Sequence, residues 1–169
     1  MEIDLRNEQP DPRQLRNALG CFGTGVTVVT TLNHTGEHVG LTANSFSSVS
    51  LDPPIVLWSL SARSPNVESF THTGRVVINI LSAAQVHLSQ QFSRHLPDKF
   101  TEVERTVGLH GLPVIEHCTA NIECVIVSAQ AVGDHILYLG KVERYRYTRK
   151  DPLLYCHGAY IKAVDHAFA

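Results

Sequence analysis

The stretch GLTANSFSSVSLDPP, Gly40 to Pro54, decides the reading of this chain. Six of the nine residues from Thr42 to Ser50 are small and polar: Thr42, Asn44, Ser45, Ser47, Ser48 and Ser50. A buried strand carries a continuous apolar run, and an ordinary loop is broken by Gly or Pro. This segment fits neither description. It is expected to hold a row of hydroxyls and one carboxamide on extended backbone.

Working outward, TGVTVVTTL (Thr24 to Leu32) is β-branched and reads as a strand. NHTGEH reads as a hairpin turn and VGLTANSFSSVS as the returning strand. Asp52-Pro53-Pro54 ends that strand, because proline cannot donate to a ladder. Ile55 to Leu60 and Arg75 to Leu81 are short apolar runs, expected as buried strands. Between them SPNVESFTHTG predicts one or two helical turns capped by Ser64. Near the start, Asp11 and Pro12 suit a helix entry, Leu15, Ala18 and Leu19 share a face, and Gly20 suits its stop. Ser82 to Leu96 predicts a further helix, and PDKFTEVERTVGLHGLP an irregular, exposed excursion. ANIECVIVSAQAV and HILYLGKVERYRYT predict a hairpin around Gly133-Asp134, and LLYCHGAYIKAV a last strand.

No repeat or linker divides the chain, so a single domain over residues 1–169 is expected, with 1–10 a flexible N-terminal segment. Six or seven strands joined mostly by hairpins predict a mainly β protein, a closed antiparallel barrel with a few short helices. The alternating rhythm of a doubly wound sheet is missing.

Composition narrows the function classes. Hydrophobic residues make up 43% and charged residues 18%, with a formal net charge of -2 and no basic run. A nucleic-acid surface is disfavoured, and a phosphate partner must be met by local geometry. No stretch approaches the ~20 apolar residues of a membrane span, and the N-terminus lacks the apolar region of a secretory signal. Cys21, Cys118, Cys124 and Cys156 form no C-x-x-C pair, which predicts reduced thiols and a cytoplasmic location.

Three standard chemistries fail on spacing. GCFGTG (Gly20 to Gly25) has the order G-x-x-G-x-G and follows a helix, so it is no dinucleotide fingerprint. The ten histidines include no H-E-x-x-H and no zinc spacing, so no metal is expected. There is no G-x-S-x-G nucleophile elbow. What remains is a ligand gripped by small side chains and backbone amides. The Asn44 carboxamide, both donor and acceptor, suits the edge of a heterocycle. Arg63 and Ser64, after the third strand, suit an anion. His135 interrupts the start of an apolar strand, and Asp134 beside it is placed to orient the ring.

FGTGVTVVTT, GLTANSFSSVSLDPP, GDH and PLLYCHGAY together resemble the short-chain flavin reductases, the reductase components of two-component flavin-dependent monooxygenases. The resemblance runs from Leu15 to Val164. It implies a homodimeric, FMN-binding, Greek-key split β-barrel. Such a protein takes hydride from NADH or NADPH, passes it to FMN or FAD, and releases reduced flavin to a separate monooxygenase. By matching positions, Thr42, Ala43, Asn44, Ser45, Ser47, Ser48 and Ser50 would line the flavin. Arg63, Ser64 and Asn66 fall at its phosphate, and His135 of GDH near the nicotinamide. Lys99, Phe100 and Tyr160 match positions close to the site. His157 stands where relatives often carry arginine. A flavin or haem binder acting as electron carrier, or an oxidase that keeps its flavin, is the alternative on the same barrel. FMN against FAD and NADH against NADPH stay open.

Overall fold

The computed structural model describes residues 3–7, 9 and 11–164. Of the segment expected to be flexible, residues 1, 2, 8 and 10 lie outside the described residues. Asp4 and Arg6 within it pair at 2.8 Å. Helix α1 (Pro12–Leu19) begins as the sequence predicts: the Asp11 carboxylate accepts the Arg13 N–H at 2.8 Å, and Pro12 opens the first turn.

The β-branched run splits into β1 (Thr24–Gly25) and β2 (Thr27–Leu32). Val26 lies between them, bonded to Leu153 and Leu81. A hairpin returns β2 as β3 (His38–Ala43), with Asn33 Oδ1 accepting the Thr35 and Glu37 N–H groups at the turn. The predicted strand over residues 39–50 is not continuous. It ends at Ala43, and Asn44, Ser45 and Phe46 leave the ladder before β4 (Ser47–Leu51) starts. Strand β5 (Pro54–Ser61) follows, then α2 (Val67–Thr73) and β6 (Arg75–Ile80). A single 3-10 turn over Ala83–Gln85 leads into α3 (Val86–Ser93), so the helix predicted over Ser82 to Leu96 is shorter and starts with that turn.

The stretch expected to be an irregular, exposed excursion is largely exposed, but it is anchored by buried side chains and partly regular, in a small sheet of its own. Within and beyond it β7 (Arg105–Val107) pairs with β8 (Pro113–Ile115), and Phe100, Val103, Leu112, Val114 and Ile115 are buried. Its polar look comes from residues between those anchors. The long hairpin arrives as predicted: β9 (Ala120–Val132) and β10 (His135–Tyr147) turn at Gly133, φ +58°. The predicted last strand is instead a hairpin of β11 (Leu154–Cys156) and β12 (Ala159–Ile161).

Seven strands form one antiparallel sheet in the order β3-β2-β6-β9-β10-β5-β4. Strands β3 and β4 are its two edges, yet only Asn44–Phe46 separate them in the chain. Four Cα steps reach at most about 14 Å, so the sheet must curl until its edges nearly meet. The result is a split barrel. A smaller sheet, β1-β11-β12, lies alongside.

Alternation along β5 sends Val56, Trp58 and Leu60 inward, where Trp58 stacks on Tyr138 of β10 at 4.5 Å with Phe70 of α2 edge-on. Cys118 and Cys124 are buried, which pushes both thiols up to about 12, and all four cysteines are free. The polar centre of the wall is Asn79, wholly buried on β6. Its amide donates to the Val28 carbonyl at 2.9 Å and the Thr30 hydroxyl at 3.1 Å. Its oxygen accepts from Ile115 N–H at 3.0 Å and Asn121 at 2.8 Å.

Replacing Asn79 by Ala leaves several buried partners unmet. The variant is expected to lose on the order of 3 kcal/mol in urea unfolding, because each orphaned buried group costs ~1–3 kcal/mol. A loss below ~1 kcal/mol would show that the wall does not depend on this side chain.

Candidate functional site

The site begins where the ladder stops. Strands β4 and β5 pair as Ser47↔Leu57 and Ser48↔Val56, so the next position outward on that face is Ser45 opposite Ser59. There the backbone pairing is replaced by a side chain. Ser45 Oγ donates to the Ser59 carbonyl at 3.0 Å and accepts the Ser59 N–H at 3.0 Å. The Ser45 hydroxyl thus holds both polar groups of Ser59, and the link's own peptide groups are released from the sheet. The serine closes the barrel edge.

Strand β3 lines two hollows along its length, and Gly40 and Thr42, one in each, share the face that packs on α3. Toward its end, Thr42, Ala43 and Asn44 share a pocket of ≈ 260 Å³ with Tyr160 and Ser89. Ser89 of α3 is buried and organises it: its carbonyl accepts the Thr42 hydroxyl at 2.7 Å, and its Oγ lies 2.9 Å from Tyr160 Oη. Asn44 and Tyr155 also line a neighbouring cleft of ≈ 520 Å³, with Thr24, Phe22 and His157. Thr24 Oγ1 is buried there without a hydrogen-bond partner. His157 takes a left-handed conformation at φ +50°, beside Gly158 at φ +78°, in the turn between β11 and β12.

Toward the start of β3 is a cleft of ≈ 580 Å³ lined by His38, Gly40, Asn66, Lys99, Phe100 and Arg105, among others. Only glycine fits at position 40: a Cβ there would lie 2.6 Å from the Phe92 ring. Phe100 is buried edge-on against Phe92 at 5.0 Å. Lys99 is half-buried and donates to the Phe92 and Gly40 carbonyls at 2.9 and 3.3 Å. Burial holds its ammonium below the ordinary lysine pKa.

A third group gathers at the end of β10. His135 pairs with Ser61 of β5, and the Asp134 carbonyl accepts the Ala62 N–H at 3.0 Å. His135 Nδ1 lies 2.7 Å from Asp134 Oδ1. A carboxylate only accepts, so Nδ1 carries the proton and Nε2 is left outward. This hydrogen bond and the neighbouring imidazole hold the Asp134 carboxyl below the usual range. The loop that follows β5 places Arg63 and Ser64 beside this turn. Ser64 does not cap α2 as the sequence predicts. The N-cap is Asn66, and Ser64 Oγ instead accepts the Asn66 N–H at 3.3 Å.

The sequence-predicted residues therefore fall into separate groups. Thr42, Ala43, Asn44 and Tyr160 come together, as do Asn66, Lys99 and Phe100, while Arg63, Ser64, Asp134 and His135 gather around the turn. Ser47, Ser48 and Ser50 lie on β4, and Ser47 Oγ bonds to the Ser48 carbonyl at 3.2 Å. Residues missed by sequence reasoning are Ser89, the hub of the small pocket, and Thr24, Tyr155 and Arg105. Ser89 had no signal, because one serine on a helix face looks solvent-facing until the helix is docked.

The frame is a curled seven-stranded sheet with hollows lined by one edge strand. Residues 19–163 match the flavin reductase like domain, and the chain belongs to that family. It is similar to a Rhizobium meliloti protein named "Probable flavin reductase", 43% identical over 89% of this chain and 48% of that protein. It is also similar to FMN reductase (NADH) SmoA of Agrobacterium fabrum, 42% identical over 88% of this chain and 84% of that protein. The chain thus spans about half the length of the first relative and most of the second. Among solved structures, NADH:FAD oxidoreductase SgcE6 of Streptomyces globisporus, in complex with NAD and FAD fragments, superposes with a TM-score of 0.87 at 34% identity. That match covers 95% of this chain and 99% of the other.

Ser45→Ala removes the side chain that holds both polar groups of Ser59. It is expected to cost about 1–2 kcal/mol in chemical denaturation, since the site is part-buried. A Ser45→Thr variant, which keeps the hydroxyl, is expected to recover most of that loss. Equal stabilities for all three proteins would contradict the closing role.

Proposed function

We propose that this chain is an NAD(P)H-dependent flavin reductase that delivers reduced FMN or FAD to a separate monooxygenase. The observation that carries the reading is the break at Asn44–Phe46. There the chain leaves the ladder beside a buried, unpartnered Thr24 hydroxyl, a donor set that fits the polar edge of a flavin ring. The ring supplies the hydride-accepting chemistry when bound, so no protein nucleophile is required.

The protein's own residues bind and orient. The Asn44 carboxamide and the peptide groups around Ser45 hold the polar ring edge, where donors aimed at developing negative charge lower the barrier. Thr42 and Ala43 keep that wall narrow, while Ser47, Ser48 and Ser50 carry the flavin-facing role onto β4. Arg63, Ser64 and Asn66 take the flavin phosphate. Lys99 adds a positive charge held on backbone carbonyls, and Phe100 and Tyr160 give the hollows rigid walls. His135, its Nδ1–H held by Asp134, presents Nε2 to the nicotinamide and fixes its approach.

The same proposal takes residues 1–169 as one flavin reductase-like unit, working as a homodimer in the cytoplasm. Phe22 and Leu51, 80% and 91% exposed, are apolar side chains that a second copy would cover. Among the described residues no helix is long and apolar enough to cross a membrane. No group of three or more His, Cys, Asp or Glu there is arranged to hold a metal ion.

The deciding experiment adds NADH, or NADPH, to the flavin-loaded protein without oxygen. Loss of flavin absorbance supports the reductase, and an unchanged spectrum rejects it. Reduction of cytochrome c across a dialysis membrane then separates release of reduced flavin from an enzyme that retains it. In stopped-flow reduction His135→Ala is expected to slow the hydride step by about tenfold while the barrel stays folded, within the range for a lost positioning contact. Unchanged kinetics would remove His135 from the site. Asn44→Leu is expected to weaken flavin binding about tenfold in a fluorescence titration, as a buried polar edge loses its partner. Equal affinity would remove Asn44.

A further inference from the structure

Two of the four free thiols stand where the two ends of the chain meet. Helix α1 is capped at Gly20, and Cys21, Phe22 and Gly23 lead from it into β1. The turn between β11 and β12 packs on this segment, with the His157 N–H donating to the Gly20 carbonyl at 2.8 Å. Cys156, the last residue of β11, reaches in beside that bond. Its thiol donates to the Gly20 carbonyl at 3.6 Å and lies 3.8 Å from the Cys21 carbonyl oxygen. That oxygen is only three bonds from the Cys21 β-carbon. The segment wraps closely around the sulfur, since a Cβ at position 23 would lie 3.9 Å from it.

Cys21 is exposed, and its thiol donates back to the Asn17 carbonyl at 3.5 Å. A thiol is a weak donor, so little holds it there. Rotation about Cα–Cβ brings the sulfur beside its own carbonyl carbon, the side on which Cys156 sits. The other two thiols differ. Cys118 and Cys124 are buried and held up to about 12, so neither supplies a thiolate. An accessible thiol with a second thiol beside it is the arrangement that oxidises reversibly. Both segments also wall the cleft that holds the unpartnered Thr24 hydroxyl: Gly20 and Phe22 from one, Tyr155 and His157 from the other. A covalent tie between them sets how far apart those walls stand.

We infer that Cys21 and Cys156 form a reversible disulfide that clamps this cleft, with hydrogen peroxide as the oxidant. The origin of the oxidant rests on the flavin reductase reading. Reduced flavin that no monooxygenase consumes gives two electrons and two protons to dioxygen, leaving oxidised flavin and hydrogen peroxide. The Cys21 thiolate attacks one peroxide oxygen, the O–O bond breaks, and the other oxygen leaves as water with the thiol's proton. The Cys156 sulfur then attacks the Cys21 sulfur. The S–S bond forms, the S–O bond breaks, and the hydroxyl leaves with the second thiol's proton as another water. Two thiols are oxidised and one peroxide is reduced to two waters. Exchange with a small-molecule thiol restores the open form. The clamp slows the supply of reduced flavin when its consumer is absent.

The test treats the whole chain with hydrogen peroxide and then with dithiothreitol, beside Cys21→Ser and Cys156→Ser, which keep a donor for the same carbonyls. Thiols counted after unfolding are expected to fall from four to two in the parent, and dithiothreitol to restore them. A digest is expected to contain one cross-linked peptide, joining Cys21 to Cys156 within a single chain. Flavin reduction by NADH is expected to be about fivefold slower in the oxidised parent, since displaced walls cost alignment, and within about twofold of untreated in both variants. Turnover in air without a monooxygenase is expected to slow with time, and catalase to prevent it. A parent that keeps four thiols, or links another pair or two chains, overturns the inference, and this reading needs no variant. A cross-link that leaves the rate unchanged, or equal slowing in both variants, overturns the clamp. Should the reduced parent fail to oxidise NADH, the reductase reading fails, while the thiol count and the cross-link still decide the disulfide.

Discussion

The structure depends on one substitution of side chain for backbone. At Ser45 the ladder between β4 and β5 continues in register but not in kind, because the hydroxyl supplies both bonds that a peptide unit would have made to Ser59. A continued strand would have closed this edge with main chain and left nothing for a ligand. An open loop would have left Ser59 unpaired and the edges free to splay. Serine is small enough to reach in and polar in both senses, donor and acceptor. It keeps the barrel shut and the peptide groups on either side available.

The surrounding packing holds this geometry still. Thr27 of β2 donates its hydroxyl to the Ala43 carbonyl at 2.7 Å, just before the link starts. Thr42 is tied to α3, and Tyr160 of the small sheet to the same helix residue, Ser89. Two sheets and a helix therefore meet at one buried serine, and the hollow's shape follows from their relative positions. Deeper in the wall, the Asn79 network and the Glu123 carboxylate, paired with Arg144 at 2.6 Å, fix β6, β8, β9 and β10 to one another. Buried polar groups of this kind specify one arrangement because every alternative leaves a partner unmet.

Most of the fold was legible from patterns that repeat. The apolar runs at Ile55–Leu60 and Arg75–Leu81, the Gly133-Asp134 turn and the Asp11-Pro12 helix entry each carry a local signal, and each is where it was expected. What was hidden needed partners from far along the chain. Residues 39–50 look like one strand because the break at Asn44–Phe46 has no Gly or Pro, and only the opposite register of Ser59 explains it. The segment from Pro97 to Pro113 looks exposed because its buried residues, Phe100, Val103 and Leu112, are spaced to neither a helix nor a strand period. The polar stretch could be picked out from the sequence as candidate site chemistry, and Asn44 within it does line two adjoining hollows. That Thr42, Ala43 and Asn44 share a hollow with Ser89 and Tyr160 could not, since it depends on how α3 and the last hairpin dock.

Strand β1 pairs Thr24 with Tyr155, joining one end of the fold to the other. During synthesis the large sheet has all of its strands before β11 emerges, while the wall that carries Thr24, Tyr155 and Tyr160 has no partner strand to pair with. The hollow that holds Thr24 and Tyr155 is therefore closed by two segments about 130 residues apart in sequence, and it exists only once the two ends of the chain have met.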